Sequence, residues 1–187
     1  MMTILASKSP RRAKILADLG IAFAVEPTEA DEVSLPHAPR RTVTVNAARK
    51  LKACRLRHPD AEIVAADTIV WFDGRIYGKP RDLDEARAFL RTLSGKTHSV
   101  FTGVALCRPG EPLRSEVVES RVTFRTLSET MIERYVTAVR PTDRAGAYDI
   151  DESGDLIVAS YSGSYENIMG LPVEPLRRFG LGQSAPK

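Results

Sequence analysis

A short apolar strand that runs straight into a capped helix constrains this chain more than any other feature. Thr3 to Ala6 is apolar and strand-like, Ser7-Lys8-Ser9 follows, and Pro10 opens a helix that runs to Leu19 and stops at Gly20. Ser9 is a good N-cap, and Pro10 suits the first helical position because its missing N–H would lack a partner there anyway. Ile15, Leu16 and Leu19 form the apolar face. The same junction gathers free backbone N–H groups, the hydroxyls of Ser7 and Ser9, and the charges of Lys8, Arg11 and Arg12. Such a junction binds anions, and this many positive groups suits a polyphosphate better than one carboxylate. A capped surface helix with solvated arginines reads the same residues as well.

The rest of the chain alternates strands and helices. Ala22–Val25 is a second strand, and the Pro-rich stretch from Glu26 to Pro39 is a loop. Val43, Ala47, Leu51 and Cys54, three or four apart, predict a helix over Arg40–Arg57. Ile63–Ala66 is a buried strand that delivers Asp67 and Thr68 at its C-terminal end. Asp73-Gly74 turns a hairpin between Ile69–Phe72 and Arg75–Tyr77. Asp82 with Glu85 starts a helix to Leu93, closed by Gly95. Two long strands, His98–Arg108 and Leu113–Arg125, flank the Pro109–Pro112 turn. Ser128 caps a helix over Glu129–Val139. A strand over Leu156–Ser160, a loop through Gly163 and Gly170, and a helix over Val173–Phe179 complete the order. Parallel-type crossovers with an antiparallel hairpin predict an α/β fold, a mixed twisted sheet flanked by helices. One domain spanning 1–187 is expected, with residues 183–187 as a flexible tail.

Composition bounds the function. The chain has 187 residues and a net charge of +3, which suits an anionic substrate but is too mild to argue for nucleic acid. No stretch approaches a membrane span and no signal peptide is evident, so the expected location is the cytoplasm. Cys54 and Cys107 have no metal-ligand spacing, nor have His37, His58 and His98, so neither a disulfide nor a histidine metal site is expected. No Walker A, G-x-G-x-x-G or G-x-S-x-G pattern is present, which takes weight from ordinary kinases, P-loop enzymes and dinucleotide dehydrogenases.

Asp67, a carboxylate directly after an apolar strand, could hold Mg²⁺ or take a proton from water, or merely cap a turn with Thr68. Gly78-Lys79-Pro80 presents Lys79 from a rigid corner, suited to a phosphate. Lys50 on the long helix and Asp31-Glu32 in the loop are weaker alone. Tyr148, beside flexible backbone, could stack on a base.

Together, Leu5 to Arg12, Ala66-Asp67-Thr68-Ile69-Val70, Gly78-Lys79-Pro80, Ser94 to His98, and Gly163 through Pro172 resemble the Maf family of nucleoside triphosphate pyrophosphatases, in order over nearly the whole chain. The resemblance implies a two-lobed fold of the inosine-triphosphatase-like type, with a cleft between the lobes. It implies hydrolysis of a nucleoside triphosphate between the α and β phosphates with a divalent metal, Mg²⁺ or Mn²⁺. By motif, Ser7, Arg12 and Lys79 would hold phosphates, Asp67 would accept a proton or bind the metal, and Glu32 and Lys50 match positions near metal and phosphates. It is compatible with a homodimer.

Base preference rests on three positions. The dTTP/UTP branch has arginine where Arg11 stands and a threonine-type residue at Thr68, and the 7-methyl-GTP branch has tryptophan and glutamine. The third marker departs: the dTTP/UTP branch reads Ala-Tyr-Gly-Ile-Gln, and here Ala147-Tyr148-Asp149-Ile150-Asp151 stands instead. A carboxylate only accepts hydrogen bonds, which favours a donor-rich edge such as guanine's. Two markers against one favour dTTP and UTP, with a 7-methyl-GTP or other guanine-type pyrophosphatase as the alternative. A non-catalytic regulator of septum formation is the alternative of a different class.

Overall fold

The computed structural model describes residues Met2–Leu181, so the expected tail at 183–187 lies outside the described residues. The strands are β1 (Thr3–Leu5), β2 (Phe23–Val25), β3 (Glu62–Phe72), β4 (Arg75–Tyr77), β5 (Thr97–Cys107), β6 (Arg114–Phe124) and β7 (Val158–Ser162). The helices are α1 (Pro10–Asp18), α2 (Pro39–Arg57), α3 (Leu83–Leu93), α4 (Glu129–Val139), α5 (Tyr165–Met169) and α6 (Val173–Arg178). One sheet runs through them in the order β2-β1-β3-β5-β6-β7, with β4 on β3. β1 pairs in parallel with β2 and β3, and the remaining pairs are antiparallel.

One edge of β3 is shared by two short strands that do not meet. β1 pairs with Glu62–Val64 and β4 with Val70–Phe72, which leaves Ala65–Ile69 without a strand on that side. β5 covers the opposite edge continuously from Ile63 to Trp71. This corrects the sequence reading of two separate strands with Asp67 at the end of the first. Asp67 is mid-strand, opposite Gly103, because long-range pairing with β5 carries the strand past the polar residues.

Alternation along β3 sends successive side chains to opposite faces. On one face Ile63 and Ala65, with Ile4 and Ala6, pack under α2 against Ala47, Leu51 and Cys54. On the other, Val64 and Ala66 pack with Ile15 and Leu16 of α1 and Leu176 of α6. Farther along that face, Val70, Val100 and Phe124 pack against Leu90 of α3 and Ile132 and Val136 of α4. The group of α1 and α6 and the group of α3 and α4 mark the two lobes, with α2 on the opposite face, and the gap in the sheet falls between the lobes. Two local readings also change. A short helix, α5, capped by Ser164, occupies what the sequence suggested was a loop. The last strand lies two residues later than expected, because Arg121 pairs with Ser162 and a 3₁₀ turn takes Gly154–Leu156.

His98 sits inside the second lobe, its ring edge-on to Phe124 and Tyr148 and its Nε2 3.0 Å from the Tyr148 hydroxyl. Burial lowers its pKa from the ordinary 6.5 to about 4. Below the ordinary value the unfolded chain takes up a proton that the folded chain refuses, so stability is full above pH 6.5 and falls as the pH drops toward 4. The loss amounts to about 3 kcal/mol. Urea unfolding at stepped pH should show this acid limb, and His98→Gln should flatten it.

Candidate active site

Side chains from both lobes close around the sheet gap in a cleft of about 610 Å³, a size suited to a nucleotide. Ser7, Lys8, Arg11, Arg12, Glu32, Lys50, Asp67, Thr68 and Lys79 all line it. Asp67 and Thr68 reach it from opposite faces of β3, Asp67 toward α2 and Thr68 toward α1 and the Gly170 turn.

Arg12 replaces the strand that β1 no longer supplies. Its Nη1 donates to the Ala66 carbonyl on the open edge of β3 at 2.9 Å and to Ser7 Oγ at 3.0 Å. Its Nη2 donates to Thr68 Oγ1 at 3.0 Å, and its Nε to the Gly170 carbonyl at 2.7 Å. Gly170 adopts φ +105° to close α5, and a Cβ there would lie 3.4 Å from Arg12 Nε. Burial lowers the Arg12 pKa to about 10, against the pull of the Asp67 charge, so the group stays protonated at neutral pH. The four bonds clamp the cleft floor and leave one N–H of Nη2 over, and Arg12 still lines the cleft. Ser7 Oγ accepts from Arg12 and from the Ser9 N–H, which leaves its own proton to donate into the cleft.

Asp67 is buried, with 6% of its surface exposed, and both of its oxygens are engaged. Lys50 Nζ lies 2.6 Å from Oδ1, and the same ammonium lies 2.7 Å from Glu32 Oε1. Asn46 Nδ2 donates to Oδ2 at 3.0 Å. Gly103 makes this approach possible: a Cβ there would fall 2.5 Å from the Val43 carbonyl, so a side chain would push α2 off the sheet.

Arg11 faces the other lobe. Its Nη1 is 3.4 Å from Asp149 Oδ2 and 3.8 Å from Asp143 Oδ2. Asp149 is buried, is held also by Arg144, and lines the cleft. Asp151 stands outside the cleft lining, accepting from the Tyr165 hydroxyl at 3.1 Å, with Lys14 3.6 Å away. Tyr148 lines the cleft, but its hydroxyl is taken by His98. Lys79 is exposed at the rim and pairs with no carboxylate among the described residues.

Sequence reasoning missed Asn46, Gly103 and Asp149. Asn46 had a visible signal, since it interrupts the apolar stripe of α2 one turn before Lys50. Gly103 had none, because only the crossing of α2 makes its missing side chain necessary.

Fold and site define an α/β protein with a cleft, lined by charged side chains, at a gap in its sheet. The chain belongs to the Maf family: the model of the Maf-like protein matches residues 2–179. It is 41% identical to the dTTP/UTP pyrophosphatase of Akkermansia muciniphila, over 97% of each chain. It is 45% identical to the dTTP/UTP pyrophosphatase of Symbiobacterium thermophilum, over 95% of this chain and 93% of that one. Among solved structures, the Staphylococcus aureus Ham1 protein shares the fold at 11% identity, with a TM-score of 0.50 over 67% of this chain and 73% of that one.

Replacing Arg12 with lysine keeps a charge but removes the planar fork, so at least one buried carbonyl loses its donor. Urea unfolding should show Arg12→Lys destabilised by about 2–4 kcal/mol.

Proposed function

We propose that this protein hydrolyses nucleoside triphosphates, dTTP and UTP foremost, to the nucleoside monophosphate and pyrophosphate. One observation carries the reading: the buried carboxylate of Asp67 shares a single cleft with Ser7, Arg11, Lys50 and Lys79. Phosphoryl chemistry asks mainly for offset of charge and in-line placement of water. Ser7, Arg11, Lys50 and Lys79 bind and orient the phosphates, with Arg12 holding the floor beneath them. Asp67 accepts the proton of the attacking water. The dTTP/UTP names of the relatives support the base preference, as do Arg11 and Thr68. The contacts of the Asp151 carboxylate with Tyr165 and Lys14 support the same preference, since they engage it away from the cleft lining.

A divalent cation, Mg²⁺ or Mn²⁺, fits the donor set. Asp67 and Glu32 direct carboxylate oxygens at one point, where the Lys50 ammonium supplies positive charge. Hard cations of this kind take one or two carboxylates and complete their shell with water and phosphate oxygens. Among the described residues no group of three or more metal-binding side chains comes together. When bound, the ion would offset phosphate charge and lower the pKa of water. No helix of the described residues is long and apolar enough to cross a membrane.

Pyrophosphate release with Mg²⁺ across dTTP, UTP, CTP, GTP and 7-methyl-GTP tests the reading. Selective turnover of dTTP and UTP is expected, reduced by about 10²–10⁴-fold in Asp67→Asn. A preference for guanine bases would overturn the substrate assignment. Turnover of no nucleotide would favour the division regulator.

A further inference from the structure

Asn46 is buried on α2, one turn before Lys50, and its carboxamide meets three partners. Its Oδ1 accepts from the Val33 N–H at 2.8 Å. Its Nδ2 donates to the Val33 carbonyl at 3.0 Å and to Asp67 Oδ2 at 3.0 Å. The backbone of Val33 dictates which way the amide points: an N–H needs the oxygen and a carbonyl needs the nitrogen. The nitrogen is therefore the atom left facing Asp67.

Val33 follows Glu32 in the loop between β2 and α2. That loop has other ties to the body, Thr42 to Leu35, Trp71 to Pro36 and Arg49 to Asp31. None of these side chains also bonds Asp67. Lys50 also joins the loop to Asp67, but through the Glu32 side chain; among the described residues Asn46 alone joins the loop backbone to an Asp67 oxygen.

We propose that Asn46 is a positioning residue for the reaction, one that registers the Glu32 loop against the Asp67 carboxylate. The proposal rests on Asp67 as the proton acceptor. It assigns Asn46 no contact with the triphosphate, which meets Ser7, Arg11, Lys50 and Lys79 instead. A group that holds the reacting carboxylate without binding substrate acts on kcat and leaves KM nearly unchanged.

Asn46→Asp and Asn46→Ala separate this role from simple ordering of the loop. Asn46→Asp keeps the shape and the acceptor for the Val33 N–H, but it removes both donors and sets a second carboxylate against Asp67. Asn46→Ala removes every bond. The measurements are kcat and KM for dTTP with Mg²⁺, and hydrogen exchange at the Val33 amide, which reads the loop independently of turnover. Both variants should lose about 10–100-fold in kcat with KM within about threefold of the parent. Val33 protection should persist in Asn46→Asp and vanish in Asn46→Ala. Asn46→Ser carries the same kcat expectation should Asn46→Asp fail to fold. Parental kcat in a folded Asn46→Asp or Asn46→Ser, or a loss expressed mainly in KM, would overturn the proposal. Full turnover in Asp67→Asn would instead overturn the proton-acceptor role on which it rests.

Discussion

An interior strand with a stretch of one edge left unpaired is the constraint from which the rest of this molecule follows. β1 ends at Leu5, opposite Val64, and β4 reaches back only to Val70, so Ala65–Ile69 has no strand on that side. Backbone polar groups cannot stay buried there without partners. The Ala66 carbonyl is met by the Arg12 guanidinium, which reaches in from the helix that β1 leads into. The same guanidinium binds Ser7, Thr68 and the Gly170 carbonyl. One side chain thereby draws the N-terminal junction, the central strand and the C-terminal turn together around the gap.

The opposite face of the gap carries the cost of a buried carboxylate. A lone carboxylate at the position of Asp67 would lose most of its hydration, so it needs opposite charge and donors close by. α2 supplies both from a single face, through Lys50 and Asn46. It can lie near enough only because Gly103, the β5 partner of Asp67, has no side chain. Glu32 then shares Lys50 with Asp67, so two carboxylates and one ammonium form an arrangement whose positive partner a hard cation and a polyphosphate can supplement.

Much of this was legible because it is local. The Ser9 cap, the Asp73-Gly74 hairpin with positive φ at both residues, and the start of α3 at Asp82 depend on neighbours a few positions away. The cleft residues Ser7, Arg11, Lys50, Thr68 and Lys79 stood in recognisable segments. What was not legible depends on distant pairing. Asp67 reads as the end of a strand until β5 is laid beside it. Arg12 reads as one more cation until the missing edge of β3 gives it carbonyls to meet. Asn46 takes its meaning from Val33 and Asp67, which the chain brings to it from 13 and 21 positions away. Asp151 likewise takes its partners from distant positions, since its carboxylate meets Tyr165 and Lys14.

The most direct test of the central claim is a crystal structure with α,β-methylene-dTTP and Mg²⁺. The account predicts the analogue in the sheet gap, its phosphates against Ser7, Arg11 and Lys79, and the ion on Asp67 and Glu32, with Arg12 still clamped to Ala66 and Gly170. An analogue bound outside the gap, with Lys50 still held between the two carboxylates and no ion on either, would contradict it.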